Sequence, residues 1–504
     1  MLLIYPPLSK PCEPPAGIAR LAGAVNNLPL SIIDANLDAV LRTFQGSIGE
    51  NDTWTRRSKK NLQSNLEYLR RNHSWEIDKY TRAVMDINRL LERSLHSAGV
   101  KATLGNYQDQ GLLPVRSSDL IRAAETADKN PFYQYFDEWF IPQEDNLVGI
   151  SLNFLSQAIT TFAIAGYIKK KHPGTRIILG GGLVTSWMKK PDWKNPFTDI
   201  VDDMVAGPGE GYIRDLLGIQ DSKTHVMPRY DLFPVNDYLS PGFILPYSAS
   251  SGCYWQNCRF CPERAEGNSY IPVSPDRVLD DLASLIETHN PSMIHILDNA
   301  ISPSLLKRFI EHPLNTPWYG FVRLTDHFKD PDFCTGLKKS GCMMLKIGVE
   351  SGDQGVLNAL NKGIDLTTVS IALKNLKNAG IGTYLYFLFG TPPEGPSEAM
   401  HTMDFVKKHH TLIDFMNLAI FNMPVNSPDS NKYNTDKFYE GDLSLYSSFE
   451  HPGGWDRGRV RTFLDNEFKK DPAIREIVKR TPPIFTSNHA AFFCLSNFKI
   501  DNNP

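Results

Sequence analysis

Three cysteines share one short loop, Gly252-Cys253-Tyr254-Trp255-Gln256-Asn257-Cys258-Arg259-Phe260-Cys261. They are three of only seven in 504 residues, and the other four are scattered. A Cys-x4-Cys-x2-Cys spacing puts three soft thiolates within reach of one metal centre, and thiolates select zinc, copper or iron–sulfur. A structural zinc ion takes a fourth ligand, usually Cys or His at short spacing, and none follows Cys261 before His289. Three close thiolates without a fourth suit an iron–sulfur cluster with one iron left open. An incomplete zinc knuckle and three core cysteines are the alternative readings of the same residues.

Such a loop must be held by regular elements, and the flanking sequence supplies them. After the cysteines, Met293–Asp298, Trp318–Leu324, Met343–Val349, Thr383–Leu388 and Met416–Phe421 read as apolar strands alternating with helices. The best-signalled helix is Asp365–Gly380, with Asp365 as N-cap, apolar Val369, Leu373 and Leu376, and Gly380 as terminator. About six β/α units are expected after the loop, with chemistry at strand C-terminal ends. Residues 1–220 show a second series: strands at Leu2–Tyr5, Ser31–Asp34, Leu147–Leu152, Arg176–Leu179 and about Asp199–Val205, with helices at Ile18–Val25 and Ala158–Lys171. This alternation predicts a parallel, doubly wound sheet. It is interrupted at about 45–140 by long amphipathic helices over Asn61–Arg71 and Trp75–Ala98. The basic run Arg56-Arg57-Ser58-Lys59-Lys60 there reads as a solvated helix face. Pro228–Pro246 is a proline-punctuated connector, and the tail from Asn422 onward has no clear periodicity.

The cysteine loop, with aromatic Phe260 before its last cysteine, resembles the cluster loop of the radical S-adenosylmethionine (SAM) superfamily. That family's usual spacing is Cys-x3-Cys-x2-Cys, one residue shorter. The resemblance implies that Cys253, Cys258 and Cys261 hold a [4Fe–4S] cluster whose open iron chelates SAM. One-electron cleavage of the sulfonium then yields a 5′-deoxyadenosyl radical, and the protein orients and shields these cofactors. It also implies an external electron donor such as flavodoxin or ferredoxin. Ile347-Gly348-Val349-Glu350-Ser351-Gly352 resembles the strand segment whose acid bonds the SAM ribose, which points to Glu350 and Ser351. By the same resemblance Phe260, Asp298 and Phe387 are SAM-site residues, Asp298 toward the amino group. Arg323 is the candidate partner of the SAM carboxylate, because guanidinium matches carboxylate in a fork.

The N-terminal series resembles the cobalamin-binding domain that precedes the barrel in one radical SAM class. The resemblance rests on Pro6-Pro7, Pro14-Pro15-Ala16-Gly17, Ser151-Leu152 and Gly180-Gly181-Gly182. It implies cobalamin contacts at Pro7, Ser151, Leu152, Gly180, Gly181, Gly182 and Glu210, glycines letting backbone approach the nucleotide tail. Residues 5–25 contain no histidine, so no axial imidazole is expected from that segment. The implied chain is an α/β protein: a Rossmann-like cobalamin-type domain (1–222) with a helical insertion, a linker (223–245), a partial (β/α)6 barrel (246–425) and an irregular extension (426–504). The implied activity is a methyltransferase on an unactivated carbon of a small-molecule or peptide substrate. The alternatives are a radical SAM cyclase, rearrangement or oxidative enzyme, and a non-catalytic metal-binding protein.

Composition adds bounds. Hydrophobic residues at 41% and charged residues at 22% fit a globular chain with large cores. Net charge −3 gives no pull toward nucleic acid or anionic membrane. No apolar run reaches membrane-spanning length, no signal peptide is evident, and seven cysteines, an odd number spaced unlike a disulfide framework, suit a reducing cytoplasm. His409-His410 reads as solvated, and Cys334 and Cys342 as buried small groups. Cys12 has no assigned chemistry. His451, Trp455, Asp456, Arg457 and His489 are weaker candidates for a substrate pocket.

Overall fold

The apolar runs of the first half form five parallel strands: β1 (Leu2–Tyr5), β2 (Ser31–Asp34), β3 (Leu147–Ser151), β4 (Arg176–Gly180) and β5 (Asp203–Met204). Their order is β2-β1-β3-β4-β5. The structure is a computed structural model, and it describes residues 1–25, 28–44, 52–70, 76–142, 146–219, 225–437, 441–483 and 490–492. β1 and β3 are buried along their whole length, as expected of strands covered on both faces. The order reverses direction between β1 and β3. In doubly wound sheets that switch point opens a crevice at the strands' carboxyl ends. The last strand is only Asp203–Met204, shorter than the sequence suggests, because the expected start is taken by a turn in which Ile200 N and Val201 N donate to the Phe197 carbonyl.

The chain forms two compact units, with the main boundary at Phe243/Ile244. The first contains the insertion, whose helices run Thr53–Arg70 and Ile77–Leu95, followed by the antiparallel hairpin Val100–Thr103/Asn106–Asp109. Arg71 and Trp75, expected at helix ends, lie outside the described residues. The basic run is not simply a solvated face. Buried Asp86 accepts from Arg57 (3.0 Å), Ser58 (3.1 Å) and Trp54 (2.9 Å), which ties one helix to the other. Residues 441–445 also belong to this unit: Ser117 N donates to Asp442 (2.9 Å) and Leu443 N to the Val115 carbonyl (2.9 Å).

The second unit is built on six parallel strands: β6 (Ile244–Tyr247), β7 (Met293–Ile296), β8 (Trp318–Val322), β9 (Cys342–Glu350), β10 (Gly382–Phe389) and β11 (Phe415–Ile420). They lie in sequential order. One strand therefore precedes the cysteine loop and five follow it. β6 is missing from the sequence reading because its four residues include Pro246 and sit inside the proline-rich connector. The helix Leu366–Asn378 is capped as expected, Asp365 accepting from Thr367 N and Thr368 N.

The tail is not irregular. Met423–Pro424, Thr435–Lys437 and Tyr446–Phe449 form a small antiparallel sheet, and helices follow at Arg457–Asn466 and Pro472–Arg480. Its strands are too short to show a period of two, and aromatic contacts such as Phe389–Phe463 and Phe389–Phe468 carry the packing. His409 is buried rather than solvated, its Nδ1 2.8 Å from the Phe405 carbonyl. Cys334 and Cys342 are fully buried. No helix among the described residues is long and apolar enough to cross a membrane.

The glycines after β4 divide in role. Gly181 has φ +110°, and a Cβ there would lie 2.4 Å from the Leu152 carbonyl oxygen, whereas a Cβ at Gly182 meets nothing closer than 3.7 Å. Gly181 is thus needed by the turn itself, so a side chain there strains the domain before it can block a ligand. Gly181→Ala should destabilise the protein by about 2 kcal/mol or more, and Gly182→Ala by well under about 1 kcal/mol. Urea denaturation of the two variants checks this ordering.

Candidate active site

The cysteine loop leaves β6 on a stem fixed by Asp298. This carboxylate, 3% exposed, accepts from Ala249 N (2.7 Å), Ser250 N (3.2 Å) and the Ser250 hydroxyl (2.7 Å). Burial raises its pKa to about 6 against the pull of those donors. Asp298 is therefore turned toward the loop's own backbone.

The crown of the loop docks on the turn at residues 360–363, which follows the short helix Gln354–Ala359 after β9. Arg259 N donates to the Leu360 carbonyl (3.0 Å), Trp255 Nε1 to the Asn361 carbonyl (3.3 Å), and Asn361 Nδ2 to the Asn257 carbonyl (3.2 Å). Arg323, just past β8, stacks its guanidinium 3.8 Å from the Trp255 ring centre and donates to the carbonyls of Lys362 and Gly363. Gly363 is obligatory here: φ is +64°, and a Cβ would sit 2.4 Å from the Trp255 ring. The expected partner of Arg323 is a ligand carboxylate; in the structure its planar face and two of its donors fasten the loop.

Glu350 ends β9 in the left-handed region (φ 70°), beside a register shift against β10. Its Oε1 meets Lys362 Nζ at 2.7 Å, the two side chains 12% and 10% exposed. Lys362 Nζ lies 5.6 Å from the centre of the Phe260 ring. Gly348 leaves space for this pair, since a Cβ there would fall 2.5 Å from Glu350 Oε1 and 2.8 Å from Lys362 Nζ. Lys362 escaped the sequence reading. Its only signal is the Asn361-Lys362-Gly363 turn, whose flanking residues both have positive φ.

Below this layer the same face of the sheet carries a polar and aromatic stack. Lys346 Nζ is 2.8 Å from His295 Nε2 and 4.5 Å from the Phe321 ring centre. His295 stacks on Tyr319 at 4.4 Å, and Phe321 meets Tyr386 at 4.9 Å. None of these was singled out in the sequence, where they look like ordinary strand residues. Phe387, fully buried, points to the opposite face from Tyr386. Ser351, 1% exposed, is 3.2 Å from the Thr402 hydroxyl and accepts from Asp353 N. Both expected SAM contacts are thus packed inside the unit.

The loop's donor set suits an iron–sulfur cluster. Cys253, Cys258 and Cys261 are free and half-buried. Burial raises the Cys258 pKa, opposed by the charges of Lys362 and Arg323, and raises Cys261 to about 11. Among the described residues no three His, Cys, Asp or Glu side chains stand as a ready metal cage. Two cations beside a three-thiol loop also favour a net-negative cluster.

Against the loop lies a cavity of about 150 Å³. Arg259 and Phe260 are among its lining residues, with Pro392, Pro393, Phe421 and Tyr433.

In the first unit, Ser151 accepts from Asn153 Nδ2 (3.1 Å), and Gly182 N donates to Asn153 Oδ1 (2.9 Å). Leu152 is fully buried and Pro7 is buried, whereas Gly182 is exposed and Gly180 and Gly181 are half-buried. Glu210 is paired with Arg20 at 2.8 Å. The edge also presents Phe154, 54% exposed, which sequence reasoning passed over although it follows Ser151 closely.

A six-stranded parallel sheet with a three-thiol loop after its first strand defines a class. Residues 247–406 match the radical SAM superfamily. Those residues thus form a radical SAM domain, and such a domain implies a [4Fe–4S] cluster and SAM. It is similar to an uncharacterized methyltransferase of Pyrococcus horikoshii, 24% identical over 53% of this chain and 64% of that protein. It is equally similar to the anaerobic magnesium-protoporphyrin IX monomethyl ester cyclase of Rubrivivax gelatinosus, 24% identical over 55% of this chain and 52% of that protein. The chain thus spans less than two thirds of either relative. Among solved structures, its fold resembles the radical SAM methyltransferase TsrM from Kitasatospora setae, with TM-score 0.54 and 14% identity over 92% of this chain and 88% of that one.

The Glu350–Lys362 pair yields a stability test. Lys362→Met strands a mostly buried carboxylate and should cost about 2–4 kcal/mol. Adding Glu350→Gln should recover part of that loss, with a coupling of about 1–2 kcal/mol in a double-mutant cycle. Denaturant titration of wild type, both single variants and the double variant measures it.

Proposed function

We propose that this chain is a cobalamin-dependent radical SAM methyltransferase acting on an unactivated carbon. The observation that carries the reading is the presence in one chain of two parallel sheets, each with a ligand-suited C-terminal edge. One has the three-thiol loop; the other has the β2-β1-β3 switch point with exposed Gly182 and Phe154. The neighbour TsrM is known with cobalamin and a [4Fe–4S] cluster bound, which supports the reading by analogy of fold. When bound, the cluster and SAM supply one-electron cleavage of the sulfonium, and cobalamin supplies a methyl carrier.

The chain's own residues bind and orient. Cys253, Cys258 and Cys261 hold the cluster. Arg323 and Asp298 fix the loop at crown and stem, and Lys362 brings positive charge to the thiols. The cavity beside Phe260 takes the adenosyl group, its aromatic and proline walls suited to a flat purine. Glu350, held by Lys362, would bond the ribose of SAM. In the first unit Ser151, Asn153 and the Gly180–Gly182 backbone would take the nucleotide tail of cobalamin, with Phe154 an apolar contact. An electron donor and a small-molecule or peptide substrate complete the system. The match to a cyclase favours a second reading, a radical SAM cyclase without methyl transfer.

Anaerobic reconstitution with iron, sulfide and hydroxocobalamin tests the assignment. Wild type should retain about four irons and about one corrinoid per chain. Replacing all three loop cysteines by alanine should remove the iron. Gly182→Phe should lower corrinoid at least about tenfold while leaving iron intact. Iron without corrinoid in the wild type would sink the cobalamin reading and leave the cyclase reading standing. Full iron in the triple variant would refute the cluster assignment.

A further inference from the structure

Beyond β10 the chain turns through Gly390-Thr391-Pro392-Pro393-Glu394 into the helix Pro396–His409. Glu394 is 2% exposed. Its Oε2 accepts the Gly390 N–H, and its own N–H donates to the Thr391 carbonyl at 2.9 Å, so the residue closes the turn that carries Pro392 and Pro393. From the tail, His451 Nε2 donates to the same Thr391 carbonyl at 2.9 Å. Its Nδ1 accepts from Gly453 N (3.1 Å) and Trp455 N (3.2 Å).

Trp455, 6% exposed, lies beside the carboxyl. Yet Glu394 Oε1, Thr391 Oγ1 and Trp455 Nε1 are all buried without completing a hydrogen bond of normal geometry. A carboxylate here has the Gly390 N–H on Oε2 and Trp455 beside it, too little to offset the hydration a buried charge loses, whereas the neutral acid has less to lose. The charged groups on the packed elements do not help it. Glu398, at the start of the following helix, repels it. Asp456 caps the helix Arg457–Asn466. Arg457 is turned to the Phe421 carbonyl and Asn422, and Arg459 lies beside Asp456. His451 directs both ring nitrogens to backbone.

We propose that Glu394 is a positioning residue that, only as the neutral acid, holds the Pro392-Pro393 wall of the cavity in its nucleoside-binding form. The proposal rests on the reading that this cavity takes the adenosyl group. Burial first, then Glu398, raises the acid to about 8. The sign follows from linkage. Below the ordinary glutamate range the acid is neutral folded or unfolded, and the arrangement has its full stability. That stability falls as pH rises toward about 8, and above it the acid ionises in place and the turn loosens.

The test is equilibrium binding of 5′-methylthioadenosine, which has no group titrating in the range used, to the full-length reconstituted protein from about pH 6.5 to about pH 9.5. Wild type should bind about 30-fold more weakly at the upper limit, and Glu394→Gln, which stays neutral, should show a flat profile. A flat wild-type profile, or a parallel fall in Glu394→Gln, overturns the proposal. Tyr433→Ala separates the two layers. If it binds like wild type at about pH 6.5, the nucleoside is not in this cavity and the proposal falls with that reading. If it weakens binding while the wild-type profile is flat, only the Glu394 role falls. Should Glu394→Gln not fold, wild-type calorimetry in buffers of different ionisation enthalpy reads the same proton. Uptake of about one proton per nucleoside is expected at about pH 9, and its absence there overturns the proposal.

Discussion

A loop carrying three thiols must be fixed before it meets a metal, and here that constraint falls on one guanidinium. Arg323 lies flat on Trp255 and donates to the carbonyls of Lys362 and Gly363, so it joins the cysteine loop to the turn at residues 360–363. Only a planar, permanently charged fork can stack and donate twice from one place. The rest of the site follows. Gly363 must lack a side chain to let the ring and the guanidinium meet, and Lys362, placed by the same turn, reaches back to Glu350. Gly348 then has to be empty for the pair to sit above the sheet.

This arrangement explains why the residues expected to touch SAM are mostly occupied. Asp298 serves the stem, Ser351 serves the helix Pro396–His409, and Phe387 serves the outer packing. Strand ends in parallel sheets gather polar side chains both for ligands and for the loops that border them. Sequence pattern alone cannot separate the two uses. The open surfaces lie instead at the Phe260 cavity and at Gly182 and Phe154.

What the sequence disclosed follows the range of its signals. The thiol loop, the long apolar runs β9 and β10 and the Asp365-capped helix were legible, because each is written in consecutive residues. β6 was hidden by Pro246, and the tail sheet by the brevity of its strands. Lys362, Lys346 and His295 were invisible for another reason: their meaning comes from partners 12 and 51 residues away in the chain. Gly181 was seen as a ligand-facing glycine, yet Leu152 packs where its side chain would go.

The short strap Gly441–Leu445 has a consequence for biosynthesis. It lies far along the chain but docks on Val115 and Asp442's partner Ser117 in the first unit. Made in order on the ribosome, that unit therefore waits for its last piece until most of the second has emerged. The two halves are consequently not separable cassettes: a gene cut at the boundary near residue 243 would deliver a first half missing part of its own surface.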